Sequence, residues 1–164
     1  MHLTEMEDFG MKRIRYLDGP LDAVDERILA LLAADGRISM RELAQQVGLS
    51  APSATERVRR LEEAGVIEGY AARVDPGSIG LPVGAYLRVR PMPGELGRVA
   101  ELLESLPGIV SCDRVTGEDC FIAKVQVASV GALERLIDGL LPYASTNTSV
   151  IVSETVAQRL PRHS

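Results

Sequence analysis

Histidine, cysteine and aromatic residues are scarce in this chain of 164 residues, which has two histidines, two cysteines, two phenylalanines, four tyrosines and no tryptophan. Two cysteines, Cys112 and Cys120, are too few for a disulfide framework, and they read as buried or half-buried thiols rather than a redox switch. His2 and His163 both stand in terminal tails, where neither is placed for acid–base work or for a metal. No Gly-rich phosphate loop, metal-ligand cluster or nucleophile–base pair is present, so neither a cofactor nor a metal is expected. The longest apolar stretches fall well short of membrane-spanning length, and the amino end MHLTEMEDFG has no signal-peptide pattern. A cytoplasmic chain without a membrane partner is the expectation. The length suits two small domains, each with a modest core.

The richest stretch is SMRELAQQVGLSAPSATERVRRL, residues 39–61. Ser39 with Glu42 forms a capping box, so a helix starts at about Met40, and Met40, Leu43, Ala44 and Val47 give it one apolar stripe. Gly48 ends it, because glycine alone takes a positive φ without steric strain. After the turn Gly48-Leu49-Ser50, Ser50 is a good N-cap, and Pro52 sits in the next first turn, where its missing N–H costs nothing. Ala54, Val58 and Leu61 set the buried side of this second helix. Its opposite side carries Pro52, Ser53, Glu56, Arg59, Arg60 and Glu63, with Arg57 on the flank. Small polar residues at the amino end and arginines in the middle suit entry into a DNA groove, since the former allow close approach and the latter contact phosphate or guanine. Arg41, Ser50, Pro52, Ser53, Thr55, Arg57, Arg59 and Arg60 are therefore the candidate DNA contacts. The plainer reading is a solvated face, with Glu56–Arg60 and Arg59–Glu63 as i,i+4 pairs. The capped turn in front of the arginines favours DNA.

Upstream, Asp22 caps another helix with acids in its first turn and Val24, Ile28, Leu31 and Leu32 on its buried face, closed by Asp35-Gly36. Residues 21–64 thus read as three helices, Gly65 as a C′ residue, and Val66–Val74 as extended. One feature opposes DNA binding: residues 21–75 hold seven arginines against ten acids, a net charge of −3, where nucleic-acid modules are basic. A single copy should bind weakly, and several copies bound together would raise the effective concentration.

The prolines and glycines of DPGSIGLP, residues 75–82, mark a linker, and beyond it the period changes. Val83, Ala85, Leu87 and Val89 alternate with Gly84, Tyr86, Arg88 and Arg90, as in a strand with one buried face. Residues 94–106 form a helix ended by Pro107-Gly108, and Ile109–Val115 and Cys120–Val127 are two strands joined by Thr116–Asp119. A second helix spans about 129–141 with Val130, Leu133, Leu136, Ile137 and Leu140 inward, and Thr148–Val156 is the last strand. The order βαββαβ is the ferredoxin-like split unit, with helices on one face of the sheet. The open face, to which Tyr86, Cys112 and Thr148 are assigned, is most simply covered by a second subunit.

These residues resemble a known family. LD..D..IL..L..DGRIS...LA..VGLS....ERVRRLE..GVI.GY, from Leu21 to Val74, is similar to the amino-terminal half of the Lrp/AsnC family, the leucine- and asparagine-responsive bacterial and archaeal regulators, and the resemblance runs to about Leu160. It implies an α+β chain with a helix-turn-helix, winged-helix-like domain over 21–74, the linker, and an ACT-like ferredoxin domain over 83–160, while residues 1–20, mixed in charge, read by themselves as an arm. It further implies a regulator of transcription that binds double-stranded DNA as a homodimer assembled into a larger even-numbered ring, foremost an octamer. A small effector, usually an amino acid, would bind between dimers near the loop of TGEDCFIAKV. Gly117 matches the family's G-x-x-D-Y glycine, but the acid of that pattern falls on Cys120 and its aromatic on Phe121, while Asp119 comes one residue early. Glu118 or Asp119 would then substitute as partner of a ligand ammonium, and Thr146 and Thr148 match threonines that line the family's effector site, although both also read as ordinary strand residues.

Two rival readings share this architecture. Siroheme decarboxylases are built alike, but acid–base work on a tetrapyrrole would be hard to staff with histidines only in the tails. A sensing module with vestigial DNA binding is disfavoured by the intact Arg57, Arg59 and Arg60 cluster.

Overall fold

The computed structural model describes residues 20–160, which leaves the expected arm before Pro20, together with His2 and His163, outside the described residues. The chain divides into two compact units, one ending at Ala72 and taking in the residues from Gln158, the other Arg73–Ala157.

The first unit holds three helices, α1 (Ala23–Ala34), α2 (Met40–Val47) and α3 (Ala51–Glu63). Each begins where a side chain satisfies amides that a helix leaves unpaired. Asp22 accepts from the Val24 and Asp25 amides, Ser39 from Glu42, and Ser50 from Ser53, and the first two caps are completed as boxes by the Asp25 and Glu42 carboxylates. Each such cap contributes about 1 kcal/mol. Gly48 ends α2 at φ 71°, in the left-handed region, which turns the chain at once into α3. Ile28, Leu32, Leu43, Val58 and Leu61 meet in a small core. Residues 66–74, expected to be extended, take part in no ladder among the described residues, since β propensity cannot supply a partner strand.

A single 3₁₀ turn, Gly77–Ile79, interrupts the linker, and Gln126 Nε2 donates to the Leu81 carbonyl at 2.5 Å. The second unit follows as β1 (Val83–Pro91), α4 (Leu96–Ser105), β2 (Ile109–Arg114), β3 (Phe121–Val127), α5 (Val130–Leu140) and β4 (Ala144–Val150). The four strands are antiparallel in the order β2-β3-β1-β4. Ala85, Leu87 and Val89 of β1, Ala123 and Val125 of β3, Val99 and Leu103 of α4 and Leu133 and Leu140 of α5 fill the core.

Three expectations need correction. The last strand is Ala144–Val150, not Thr148–Val156. Register decides this: Ala144 lies opposite Pro91 and Val150 opposite Ala85, one further bond joins the Ile151 amide to the Gly84 carbonyl, and Pro82, just before β1, has no N–H to offer. The β-branched residues Val152 and Val156 are left 95% and 61% exposed. Second, Val130 is exposed rather than inward. At 100° per residue it stands roughly 90° from the mean direction of Leu133, Leu136 and Leu140, at the open first turn of α5.

Third, Cys112 and Thr148 do not belong to the open face. Cys112 lies opposite Ala123 and Thr148 opposite Leu87, both on the helix-covered side, so Tyr86 alone of the three is correctly assigned. A register shift between Ile109 and Ser111 moves the alternation of β2 by one residue, which is why Cys112 changes face. Cys112 is also exposed, not buried, because β2 is an edge strand, and Cys120 is half-buried. Partial burial, and then the neighbouring Asp113 charge, push the Cys112 thiol above its ordinary value.

Candidate DNA and effector sites

The exposed side of α3 is built from its amino end. The Ser50 and Ser53 hydroxyls lie 2.8 Å apart, Ser50 accepts the Ser53 amide at 3.3 Å, and Thr55 Oγ1 donates back to the Ala51 carbonyl at 2.9 Å. With Pro52 in the first turn, this end presents short side chains already committed to local bonds, and the backbone is left approachable.

The three arginines have different surroundings. Arg59 sits between Glu56, at 2.5 Å, and Glu63, so the i,i+3 contact replaces the expected Glu56–Arg60 pair. The hydrogen bond from Arg59 holds the Glu56 carboxyl below its ordinary value. Arg60 is exposed and makes no ion pair or hydrogen bond among the described residues, and Arg41 on α2 is exposed likewise. Arg57 turns the other way. Its Nη1 donates to Asp22 at 2.7 Å and to Asp25 at 2.8 Å on α1. The Asp22 pairing spans 35 residues and carries no local signal, so in the sequence Asp22 reads only as a cap and Asp25 only as a first-turn acid.

In the second unit the candidate effector residues gather at one end of the sheet. The loop after β2 closes through the Val115 amide on the Cys120 carbonyl at 2.9 Å, and the Cys120 amide reaches the Val89 carbonyl at 3.1 Å. Thr146 lies opposite the same Val89 from the β4 side, and Thr148 opposite Leu87. The loop and Thr146 thus flank β1 on its two sides, about 10 Å apart at two strand spacings. Thr146 and Thr148 are half-buried on the helix-covered side. Gly117 has φ 115°, and a Cβ there would meet nothing within 4 Å, so the backbone angle and not crowding calls for glycine. Arg90 takes up Glu118 by its carbonyl and its carboxylate, a contact with no sequence signal, while Asp119 makes no ion pair or hydrogen bond among the described residues.

Residues 21–68 match the family described as winged helix-turn-helix DNA-binding, and residues 84–161 match the Lrp/AsnC ligand binding domain. The chain belongs to the Lrp/AsnC family. It is 40% identical to the HTH-type transcriptional regulator LrpC of Bacillus subtilis over 134 residues, 82% of this chain and 93% of that protein. It is 38% identical to LrpA of Mycobacterium tuberculosis over 137 residues, 82% of this chain and 91% of that one. The solved structure of B. subtilis LrpC superposes with a TM-score of 0.80 at 38% identity, covering 85% of this chain and 100% of the other. A feast or famine regulatory protein of M. tuberculosis, complexed with L-methionine, superposes with a TM-score of 0.80 at 34% identity, covering 87% and 99%. This Lrp/AsnC protein is accordingly a DNA-binding transcriptional regulator with a ligand-binding domain, and no helix among its described residues is long and apolar enough to cross a membrane.

Proposed function

We propose that this regulator docks the exposed face of α3 on double-stranded DNA, and that an amino acid bound to the second unit biases its assembly or its affinity for DNA. The observation that carries the first half is Arg60, an exposed guanidinium with no ion pair or hydrogen bond among the described residues, on a helix whose amino end is small and polar. Arg60 and Arg41 supply phosphate or guanine contacts, Arg59 does so while shared with Glu56 and Glu63, and Ser50, Pro52, Ser53 and Thr55 line the close approach. The net charge of −3 over residues 21–75 makes one copy a weak binder. Several copies engaged together compensate, which favours a homodimer assembled into a larger even-numbered ring such as an octamer.

The ligand site lies at the edge between dimers, where the loop Gly117–Cys120 and the pair Thr146 and Thr148 flank β1. Asp119 is free to meet an ammonium group and the threonine hydroxyls to meet a carboxylate or side chain. The relative complexed with L-methionine supports an amino acid as the ligand class. A non-enzymatic role fits the regulator names of the relatives. Screening the twenty amino acids by thermal shift tests the ligand half, because a ligand that binds only the folded state raises Tm. We expect one or a few to raise Tm and to change DNA binding in a gel shift. A screen in which no amino acid moves either quantity would end this reading of the second unit.

A further inference from the structure

The α3 arginine that stands apart from the others is also the one best fastened. Both bonds of Arg57 leave from one nitrogen, Nη1, to Asp22 Oδ2 at 2.7 Å and Asp25 Oδ1 at 2.8 Å, and its side chain retains 28% exposure. Asp25 is the buried charged residue among the described residues. Each aspartate is already held by the amino end of α1: Asp22 accepts two amides there, and Asp25 accepts the Asp22 amide at 3.3 Å. The middle of α3 is thus tied to the capped first turn of α1.

Beside this clamp, Ile28 and Leu32 of α1 and Val58 and Leu61 of α3 share one apolar cluster. Apolar contact is non-directional and tolerates rotation of one helix against another, whereas charge-assisted hydrogen bonds at these lengths fix direction. Partly exposed ion pairs add little to global stability, so the larger effect of this clamp is geometric.

We propose that Arg57 is a positioning residue for DNA reading, setting the rotation of α3 about its own axis, and so the aim of Ser53 and Arg60, without touching DNA. This rests on the reading that the exposed face of α3 meets DNA. It departs from the sequence motif, which groups Arg57 with Arg59 and Arg60 as contacts.

The sign of one variant's effect separates the two roles. Asp22→Asn with Asp25→Asn removes two negative charges near the DNA face, and charge alone would tighten binding. Loss of the clamp would weaken it. Asparagine keeps the capping acceptors, so the helix start is preserved. The probe is a duplex enriched from a random pool by the wild-type protein, compared with the unselected pool.

The double variant should lose about tenfold in affinity for the enriched duplex and change by no more than about twofold on the pool, with the salt slope unchanged. Arg57→Met should behave the same way, and Arg57→Lys should restore binding, since one ammonium can make both bonds that Nη1 makes. Tighter or equal binding of the enriched duplex by a folded double variant overturns the clamp. So does an equal loss on both duplexes by Arg57→Met with a slope smaller by about one, which would make Arg57 a phosphate contact. If the double variant does not melt cooperatively, the ratio between the two duplexes for Arg57→Met decides alone. Failure of the underlying reading looks different, because Arg60→Ala would then leave both affinities untouched.

Discussion

Arg90 grips Glu118 twice, its Nε donating to the Glu118 carbonyl at 3.0 Å and its Nη2 to the carboxylate at 2.5 Å. Both side chains are largely open to solvent, so the pair contributes little to stability. Its effect is local. The guanidinium consumes one of the two acids in the loop and leaves Asp119 as the loop acid with no ion pair or hydrogen bond among the described residues, the one we propose for a ligand ammonium.

The two acids should therefore fail differently. Asp119→Ala should abolish the Tm rise produced by the amino acid found in the screen, and Thr148→Val should do the same, with ligand-free DNA binding near that of the parent. Glu118→Ala, which only loosens the loop, should keep a reduced response. Identical titration curves for Asp119→Ala and the parent would move the ligand elsewhere.

Arg60→Ala should weaken DNA binding on every sequence and lower the slope of log affinity against log salt by about one, the signature of one lost phosphate contact. Fluorescence anisotropy at several salt concentrations measures both. A loss confined to one base-pair position would instead make Arg60 a base reader.

Gly108 and Gly139 make a matched pair for stability. A Cβ at the half-buried Gly108 would lie 2.8 Å from Leu136 Cδ1 and 3.0 Å from Val127 Cγ1, both core side chains, so Gly108→Ala should cost about 1–3 kcal/mol. Gly139 is exposed within α5 with nothing within 4 Å of its would-be Cβ, and Gly139→Ala should gain about 0.5–1 kcal/mol. Denaturant unfolding of both variants checks the order, and a stabilising Gly108→Ala would contradict the packing.

Tyr70 donates to Glu62 at 2.9 Å, and desolvation, followed by that bond and the carboxylate charge, pushes its phenol up to about 12 from an ordinary 10.0. Folding thus favours the protonated form. The stabilisation is complete below 10 and fades as pH rises through about 12, since the unfolded chain gives up this proton first. Ultraviolet titration of the folded protein against Tyr70→Phe should show the missing tyrosine as the late-ionising one. Loss of an early-ionising component would refute the assignment.

The sequence was legible where cause and effect lie within one turn of chain. Ser39 with Glu42, Ser50 with Pro52, and Gly48 fix helix ends through bonds spanning three or four residues, and all stand where expected. Partners distant in sequence were not legible: Asp22 announces itself as a cap, and nothing near it points to Arg57. In the sheet, alternation correctly gave β1 its buried side, Ala85, Leu87 and Val89. It failed for Cys112 because the irregularity after Ile109 is a property of the pairing with β3, and for the end of the last strand because β1 runs out of amides at Pro82. At the candidate ligand site the residue types were readable, but which acid is spoken for depended on Arg90, 28 residues away.

The irregularity in β2 has a further effect. This strand is one of the two edges of the sheet, and a straight edge would offer evenly spaced amides and carbonyls on which an unfolded neighbour could stack. The extra residue between Ile109 and Ser111 breaks that spacing at the point where Val110 is 56% exposed, and Asp113 and Arg114 add charge beyond it. The chain thereby carries, on this exposed edge strand, a device against stacking with other copies of itself as fibres.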